Sequence, residues 1–168
     1  RLFTSSRLFT SSRLFTSSGL FTSSGLFVEK TGMKERDLFR GVNAINLDAK
    51  GRLAIPTRYR QGLKDRCAGS LVATIDTDEP CLLIYPVDEW DAIQKKIEAL
   101  PSFHPMTRRI QRLLIGHATD LDMDGNGRVL VPPLLRDYAG LGKKCILLGQ
   151  GKKFELWDED CWNQRRDD

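Results

Sequence analysis

The sequence predicts a mainly β fold with short helices, an α+β architecture in which two copies of one small unit close on each other as a pseudo-two-fold β-barrel. Three observations carry this. First, Leu47-Asp48-Ala49-Lys50-Gly51-Arg52-Leu53-Ala54-Ile55-Pro56 returns as Met123-Asp124-Gly125-Asn126-Gly127-Arg128-Val129-Leu130-Val131-Pro132 at a constant offset of 76, and self-similarity at a fixed period marks a repeated supersecondary unit. Arg60 maps onto Arg136 at the same offset, and Leu82, Tyr85, Asp88 and Trp90 return as Phe154, Trp157, Asp160 and Trp162. Second, in both copies an Asp-x-x-Gly turn leads into an apolar, strand-like run that stops at proline. Third, a unit of about 50 residues is marginal alone, and two such units with open sheet edges have reason to close on one another.

The elements follow in order. Residues 1–37 begin with RLFTSS three times, then GLFTSS and GLF. Low complexity of this kind argues against a packed core, and the Leu-Phe pairs are interrupted by Thr-Ser-Ser, so no signal-peptide core is present. This leader is expected to be disordered, or to be a translated tandem repeat upstream of the native start, with Leu38 as a non-AUG initiation codon read as Leu. The first unit covers residues 39–90. Arg52–Ile55 reads as a strand, and Pro56 opens a short helix with Tyr59 and Leu63 on its core side. Leu71–Ile75 and Cys81–Tyr85 then read as strands. The connector, residues 91–116, belongs to an αα-hairpin of Val87–Leu100 and Pro105–His117, separated by Pro101 and Pro105. The second unit covers residues 117–164. It repeats the pattern with a strand at Arg128–Val131, a helix placing Leu134 and Tyr138 toward the core, and strands at Cys145–Leu148 and Phe154–Trp157.

Composition excludes several classes. The chain of 168 residues is 40% hydrophobic and 29% charged, which fits a soluble globular protein, and its longest apolar runs fall far short of the roughly 18 residues of a membrane span. Cys67, Cys81, Cys145 and Cys161 form no C-x-x-C pair and read as reduced packing residues of a cytosolic protein. The net charge of +4 is uneven. Residues 1–37 carry six basic and three acidic side chains, leaving 20 basic and 19 acidic in the remainder. Within that near-neutral remainder, Arg40, Lys50, Arg52, Arg58, Arg60, Lys64 and Arg66 stand against only Asp48 and Asp65, whereas Asp76, Asp78, Glu79, Asp88, Glu89 and Asp91 form an acidic run. A basic stretch with a separate acidic one suits a face that binds an anion and another that avoids it.

Leu38-Phe39-Arg40-Gly41, the two D-x-x-x-R motifs at Asp48–Arg52 and Asp124–Arg128, the run RRIQRLLIGHA at residues 108–118 and KFELWD at residues 153–158 together resemble the MraZ family. The resemblance runs from Leu38 to about Asp168. It implies two SpoVT-AbrB-type units in a double-split, swapped-hairpin β-barrel, assembled as a ring-shaped homo-oligomer. It further implies a cytoplasmic, nucleoid-associated transcriptional repressor of the division and cell-wall gene cluster that includes its own gene. Family members start with Met where this chain has Leu38 and run somewhat beyond Asp168, so a trimmed C-terminus is expected.

The expected partner is double-stranded DNA carrying promoter direct repeats. Cations neutralise phosphates while arginine forks reach guanine edges in the major groove. In the resemblance, Arg52 is the arginine needed for DNA, the alternative being an ion pair with Asp48 that only shapes the turn; Lys50, Arg58, Arg60 and Arg40 join it by charge clustering. Asp48, Gly51, Asp124, Gly127 and Arg128 are expected to build the two turns. Arg128 reads as an ion pair with Asp124 that shapes the second turn, because the Lys beside it has become Asn126. A ring presenting several such loops favours repeated sites through effective concentration. The alternative is a ring-forming scaffold without specific DNA binding.

No catalytic residue, cofactor or metal is expected. Asp120-x-Asp122-x-Asp124 imitates the start of a calcium loop, but its twelfth position is Val131 rather than Glu. His104 and His117 lack zinc-ligand spacing, no G-x-S-x-G surrounds Ser70 or Ser102, and no phosphate-binding glycine loop occurs. Trp90, Trp157 and Trp162, at duplicated positions, read as core residues.

Overall fold

The computed structural model describes residues 38–168; the expectations for the leader, residues 1–37, fall outside the described residues. The elements are β1 (Phe39–Asn46), β2 (Arg52–Ala54), α1 (Thr57–Cys67), β3 (Ser70–Ile75), β4 (Leu82–Pro86), α2 (Val87–Glu98), α3 (Pro105–Ile110) continuing as a π-helical turn (Gln111–Ile115), β5 (Thr119–Asp122), β6 (Arg128–Leu130), α4 (Pro133–Tyr138), β7 (Lys144–Gly151), β8 (Lys153–Asp158) and α5 (Glu159–Arg165). The order strand, strand, helix, strand, strand, helix therefore occurs twice, with α3 inserted between.

The two halves interleave. Six strands form one antiparallel sheet in the order β1-β7-β8-β4-β3-β5, and β2 pairs with β6 in a separate two-stranded ribbon. The first strand of each half lies against the third strand of the other: β1 on β7, and β5 on β3. The ribbon pairs Arg52 with Leu130, Leu53 with Val129, and Ala54 with Arg128. Since residue 53 is the counterpart of residue 129, this register maps onto itself when the halves are exchanged. The same holds where β4 meets β8, centred on Leu83 opposite Glu155. The pseudo-two-fold expected from the duplication is thus written into the strand pairing. The sheet has β1 and β5 as its outer strands in this pairing.

Period-two alternation buries both faces of the sheet. Leu71, Ala73 and Ile75 of β3, Leu82 and Ile84 of β4, Cys145 and Leu147 of β7, and Phe154 and Leu156 of β8 share one core with Leu53 and Val129 of the ribbon, Tyr59 and Leu63 of α1, and Leu135 of α4. There Phe39 stacks on Phe154 with ring centroids 4.0 Å apart, and Tyr59 meets Phe154 edge-on at 5.0 Å. The intervening residues Val72, Leu83, Tyr85, Ile146 and Trp157 face the other way, under Trp90 of α2, Leu114 and Ile115 of the π-helical turn and Trp162 of α5. All three tryptophans therefore pack in this second core. Among the described residues, no helix is long and apolar enough to cross a membrane.

Two expectations change, and two strands are added to them. In α4 and at its C-cap the core-facing residues are Leu135 and Ala139, while Leu134 and Tyr138 are 70% and 44% exposed. The offset of 76 that aligns the turns also sets the helix register, so Tyr59 and Leu63 correspond to Leu135 and Ala139. Tyr138 points out and donates its hydroxyl to the Asp76 carbonyl at 3.0 Å. The helix expected over Pro105–His117 widens at Gln111, which turns Leu113 toward one core and Leu114 and Ile115 toward the other. The buried Thr74 hydroxyl bonds the Leu114 carbonyl at 2.6 Å. Finally, β1 and β5 show no regular apolar period of their own, and both are strands because the opposite half supplies their partner.

Candidate nucleic-acid interface

The ribbon is scaffolded by two equivalent turns. In the first, Asp48 Oδ1 accepts the amides of Lys50 and Arg52, each at 2.9 Å, and the Gly51 amide donates to the Asp48 carbonyl at 3.0 Å. In the second, Asp124 Oδ1 accepts the amides of Asn126 at 2.8 Å and Arg128 at 2.9 Å, and the Gly127 amide donates to the Asp124 carbonyl at 3.0 Å. Gly51 and Gly127 sit at φ of 83° and 75°, where a side chain is strained. The Ile55 amide then reaches the Gly127 carbonyl at 2.8 Å and the Val131 amide the Gly51 carbonyl at 2.9 Å, so each turn is sewn to the strand of the other half.

The duplicated arginines of the helices complete the arrangement crosswise. Arg60 of α1 lies against Gly127, and Arg136 of α4 lies against Gly51, in places that a Cβ on either glycine would fill. Arg60 Nε donates to the Ile55 carbonyl at 2.7 Å, whereas the buried Arg136 Nε has no such partner among the described residues. Each helix arginine thus lies on the turn of the opposite half.

The motif arginines differ. Arg52 Nε bonds Asp48 Oδ2 at 2.8 Å. Arg128 forms no ion pair among the described residues; Asp124 takes its amide alone, and the side chain is exposed. The sequence-based expectation of an Arg128–Asp124 pair is therefore reversed. The Asp124 carboxylate closes the second turn through the Asn126 and Arg128 amides without the guanidinium. The Arg52 amide holds the Asp48 carboxyl below its ordinary value against the opposing effect of desolvation, and the Arg52 guanidinium reinforces the shift. Asp124 is lowered chiefly by the Arg128 amide, again against desolvation, with a further contribution from the Asn126 amide.

One face of the ribbon, Leu53 and Val129, is fully buried. The other carries Arg52 opposite Leu130 and Ala54 opposite Arg128, so both motif arginines project from the same outward face, set diagonally. Lys50 is exposed at the tip of the first turn. Lys50, Arg52 and Arg60 therefore gather at the ribbon, together with Arg128 and Arg136. The remaining two predicted residues form another group on β1. Arg58 of α1 donates to Asn43 Oδ1 at 2.6 Å, lies 4.7 Å over the Tyr59 ring and covers Gly41; Arg40, the residue before Gly41 in β1, is exposed. Arg66 leaves the basic cluster altogether, pairing with Asp88 at 2.8 Å and Glu89 at 2.5 Å. The charge segregation along the sequence is thus partly cancelled in space, and Arg165 with Glu79 at 2.7 Å cancels more of the acidic run.

Sequence reasoning passed over Arg136 as a partner of the first turn and Arg128 as an exposed cation. The Arg60–Arg136 repeat was the available signal for the former. Among the described residues, no group of three or more His, Cys, Asp or Glu side chains is placed to hold a metal. His104 Nδ1 accepts the Met106 amide at the start of α3, and His117 Nδ1 lies 2.8 Å from the Leu113 carbonyl.

Comparison with known proteins adds the lineage. The model of the family described as "MraZ protein, putative antitoxin-like" matches residues 38–113 and 114–167. The chain is 60% identical over 131 residues to a protein of Halorhodospira halophila named "Transcriptional regulator MraZ", covering 78% of this chain and 86% of that protein. It is 61% identical over 126 residues to proteins of the same name from Pseudomonas putida and Pseudomonas aeruginosa, covering 75% of this chain and 83% of each relative.

Proposed function

The chain belongs to the MraZ family, and from that premise we propose that it is a non-enzymatic, sequence-specific DNA-binding transcriptional regulator. The observation that carries the reading is the ribbon: a two-stranded antiparallel element with an apolar back and a face bearing Arg52 and Arg128. A ribbon of this width fits the major groove of B-form DNA, and arginine is the side chain best shaped to take both acceptors of guanine. Arg52, prepositioned by Asp48, is the leading reader, and Lys50 and Arg128 accompany it. Arg60 braces the second turn and adds positive potential, while Arg40 and Arg58 neutralise backbone phosphates beside the ribbon.

The finer reading takes its support from the family. In it, the units at residues 39–90 and 117–164, joined by the connector at 91–116, close as a double-split swapped-hairpin barrel. The chain assembles as a ring in the cytoplasm at the nucleoid. It represses the division and cell-wall gene cluster that includes its own gene by engaging direct repeats. Several ribbons on one ring multiply modest contacts through effective concentration. The repeat leader stands outside this machinery.

A mobility-shift titration with DNA from upstream of its own gene tests the reading. Affinity should fall with salt by about 0.9 log units per neutralised phosphate for each log unit of salt. Arg52→Ala should abolish the specific shift while the assembly keeps its size on gel filtration. Arg128→Ala should weaken binding less, because the free Arg128 side chain loses more rotamer freedom when it docks than one already held. Normal binding of the promoter repeats by Arg52→Ala removes the site assignment, and failure of the wild type to shift any promoter fragment removes the DNA reading in favour of a scaffold.

A further inference from the structure

We propose that Leu130 is a specificity-determining residue that seats against the 5-methyl group of a thymine. This rests on the DNA reading above and adds to it an apolar contact inside the ribbon's cationic face. Leu130 is 54% exposed although both its neighbours, Val129 and Val131, are fully buried. It therefore contributes its side chain outward rather than to the core. Its place is fixed by the register: it lies directly across the ladder from Arg52 and two residues along from Arg128. Side chains directly opposite in an antiparallel pair have Cβ atoms about 5 Å apart. A ribbon that delivers Arg52 to a guanine edge consequently delivers Leu130 to a neighbouring base step. The thymine methyl is the apolar group that the major groove offers there, and small or branched apolar side chains are suited to it.

The counterpart of Leu130 in the first half is Ala54, likewise on the outward face. A single methyl cannot reach as far as an isobutyl group. The ribbon is thus two-fold in backbone and polar in reach, with Leu130 beside the held arginine and Ala54 beside the free one. Such a ribbon distinguishes the two directions along the duplex, which favours repeats in the same orientation over inverted ones.

The test replaces each thymine of one repeat in turn by deoxyuridine, which deletes only the methyl group. Each probe is titrated with the wild type and with Leu130→Ala. One position should weaken wild-type binding by about fourfold, the loss expected for one buried methyl, and the same substitution should leave Leu130→Ala unaffected. Thymine-independent binding by the wild type, or a methyl effect that persists in Leu130→Ala, overturns the proposal while leaving the DNA reading standing. Failure of the wild type to shift any promoter fragment overturns the DNA reading and the proposal with it. Loss of assembly by Leu130→Ala on gel filtration, with the methyl effect intact, assigns the side chain to a contact between copies instead.

Discussion

In the first half of the molecule Asp48 holds both the amide and the guanidinium of Arg52; in the second, Asp124 holds the amide of Arg128 and leaves the guanidinium free. The backbone bonds of the two turns otherwise correspond one for one. This separates what the duplication had to keep from what it could change. The carboxylate-to-amide bonds, the glycine at positive φ and the crossed helix arginine recur because the ribbon requires them in both halves. Lys50 against Asn126, Ala54 against Leu130, and a tied against a free arginine lie on the outside, where divergence costs the fold nothing. The scaffold is two-fold and the surface it presents is not.

The comparison is most exposed to failure at the ribbon's centre, where Leu53 faces Val129 and both are fully buried. Leu53→Ala should destabilise the protein by about 2–5 kcal/mol, the range for a leucine truncated in a core. Val129→Ala, which removes two carbons instead of three, should cost about two-thirds as much. Because the two side chains meet at the pseudo-two-fold, the double variant should depart from additivity by about 0.5 kcal/mol or more, measured by urea unfolding. Strict additivity would show that the halves do not share their core at this point.

The crossed arginines give a smaller and sharper contrast. Alanine at Gly51 or Gly127 is strained by the positive φ, by about 1–2 kcal/mol, and in each case the new Cβ displaces an arginine from the opposite half. Displacing Arg60 from Gly127 also breaks its bond to the Ile55 carbonyl, whereas the Arg136 Nε has no matching bond to lose. Gly127→Ala should therefore be worse than Gly51→Ala by about 1 kcal/mol, the net worth of one hydrogen bond. Equal losses would mean that the two arginines brace their turns alike.

How much of this could be read in advance follows from where each signal lies. The strands at β2, β3, β4, β6, β7 and β8 were legible from local apolar runs, and the offset of 76 gave the turns and the pseudo-two-fold. The strands β1 and β5 were not, because Gly41, Asn43 and Asn46 in one, and Thr119, Asp120 and Asp122 in the other, leave no local period. Their pairing is supplied by residues about a hundred positions away for β1 and about fifty for β5. The core face of α4 lies one residue beyond the local apolar pair, Leu134 and Tyr138, because it follows the offset of 76 that aligns the two halves. At the site, the motif residues were visible as types, but the partition of the arginines depends on tertiary neighbours. Arg66 is drawn to α2, Arg60 lies over Gly127, and Arg128 forms no ion pair among the described residues although its turn keeps the same carboxylate-to-amide bonds as the first.

The smallest effect concerns the two aspartates themselves. Both carboxyls titrate below their ordinary 3.8 in the folded protein because backbone amides bond the ionised form. A depressed folded value means that their contribution is complete above the unfolded value and is lost as the pH falls through the folded one, so the window lies below about pH 4. Asn at either position can still accept the amide bonds but carries no titrating charge. Asp48→Asn and Asp124→Asn should each flatten the decline in the urea midpoint as the pH falls below about 4, relative to the wild type. Asp48→Asn should flatten it more, since Asp48 alone also bonds an arginine side chain. The same variant should weaken DNA binding at neutral pH by freeing Arg52, while Asp124→Asn should leave binding nearly unchanged. If the two variants behave alike in both measurements, the Asp48–Arg52 pair holds nothing in solution, as many exposed ion pairs do, and the functional difference between the halves must then rest on Lys50 and Leu130.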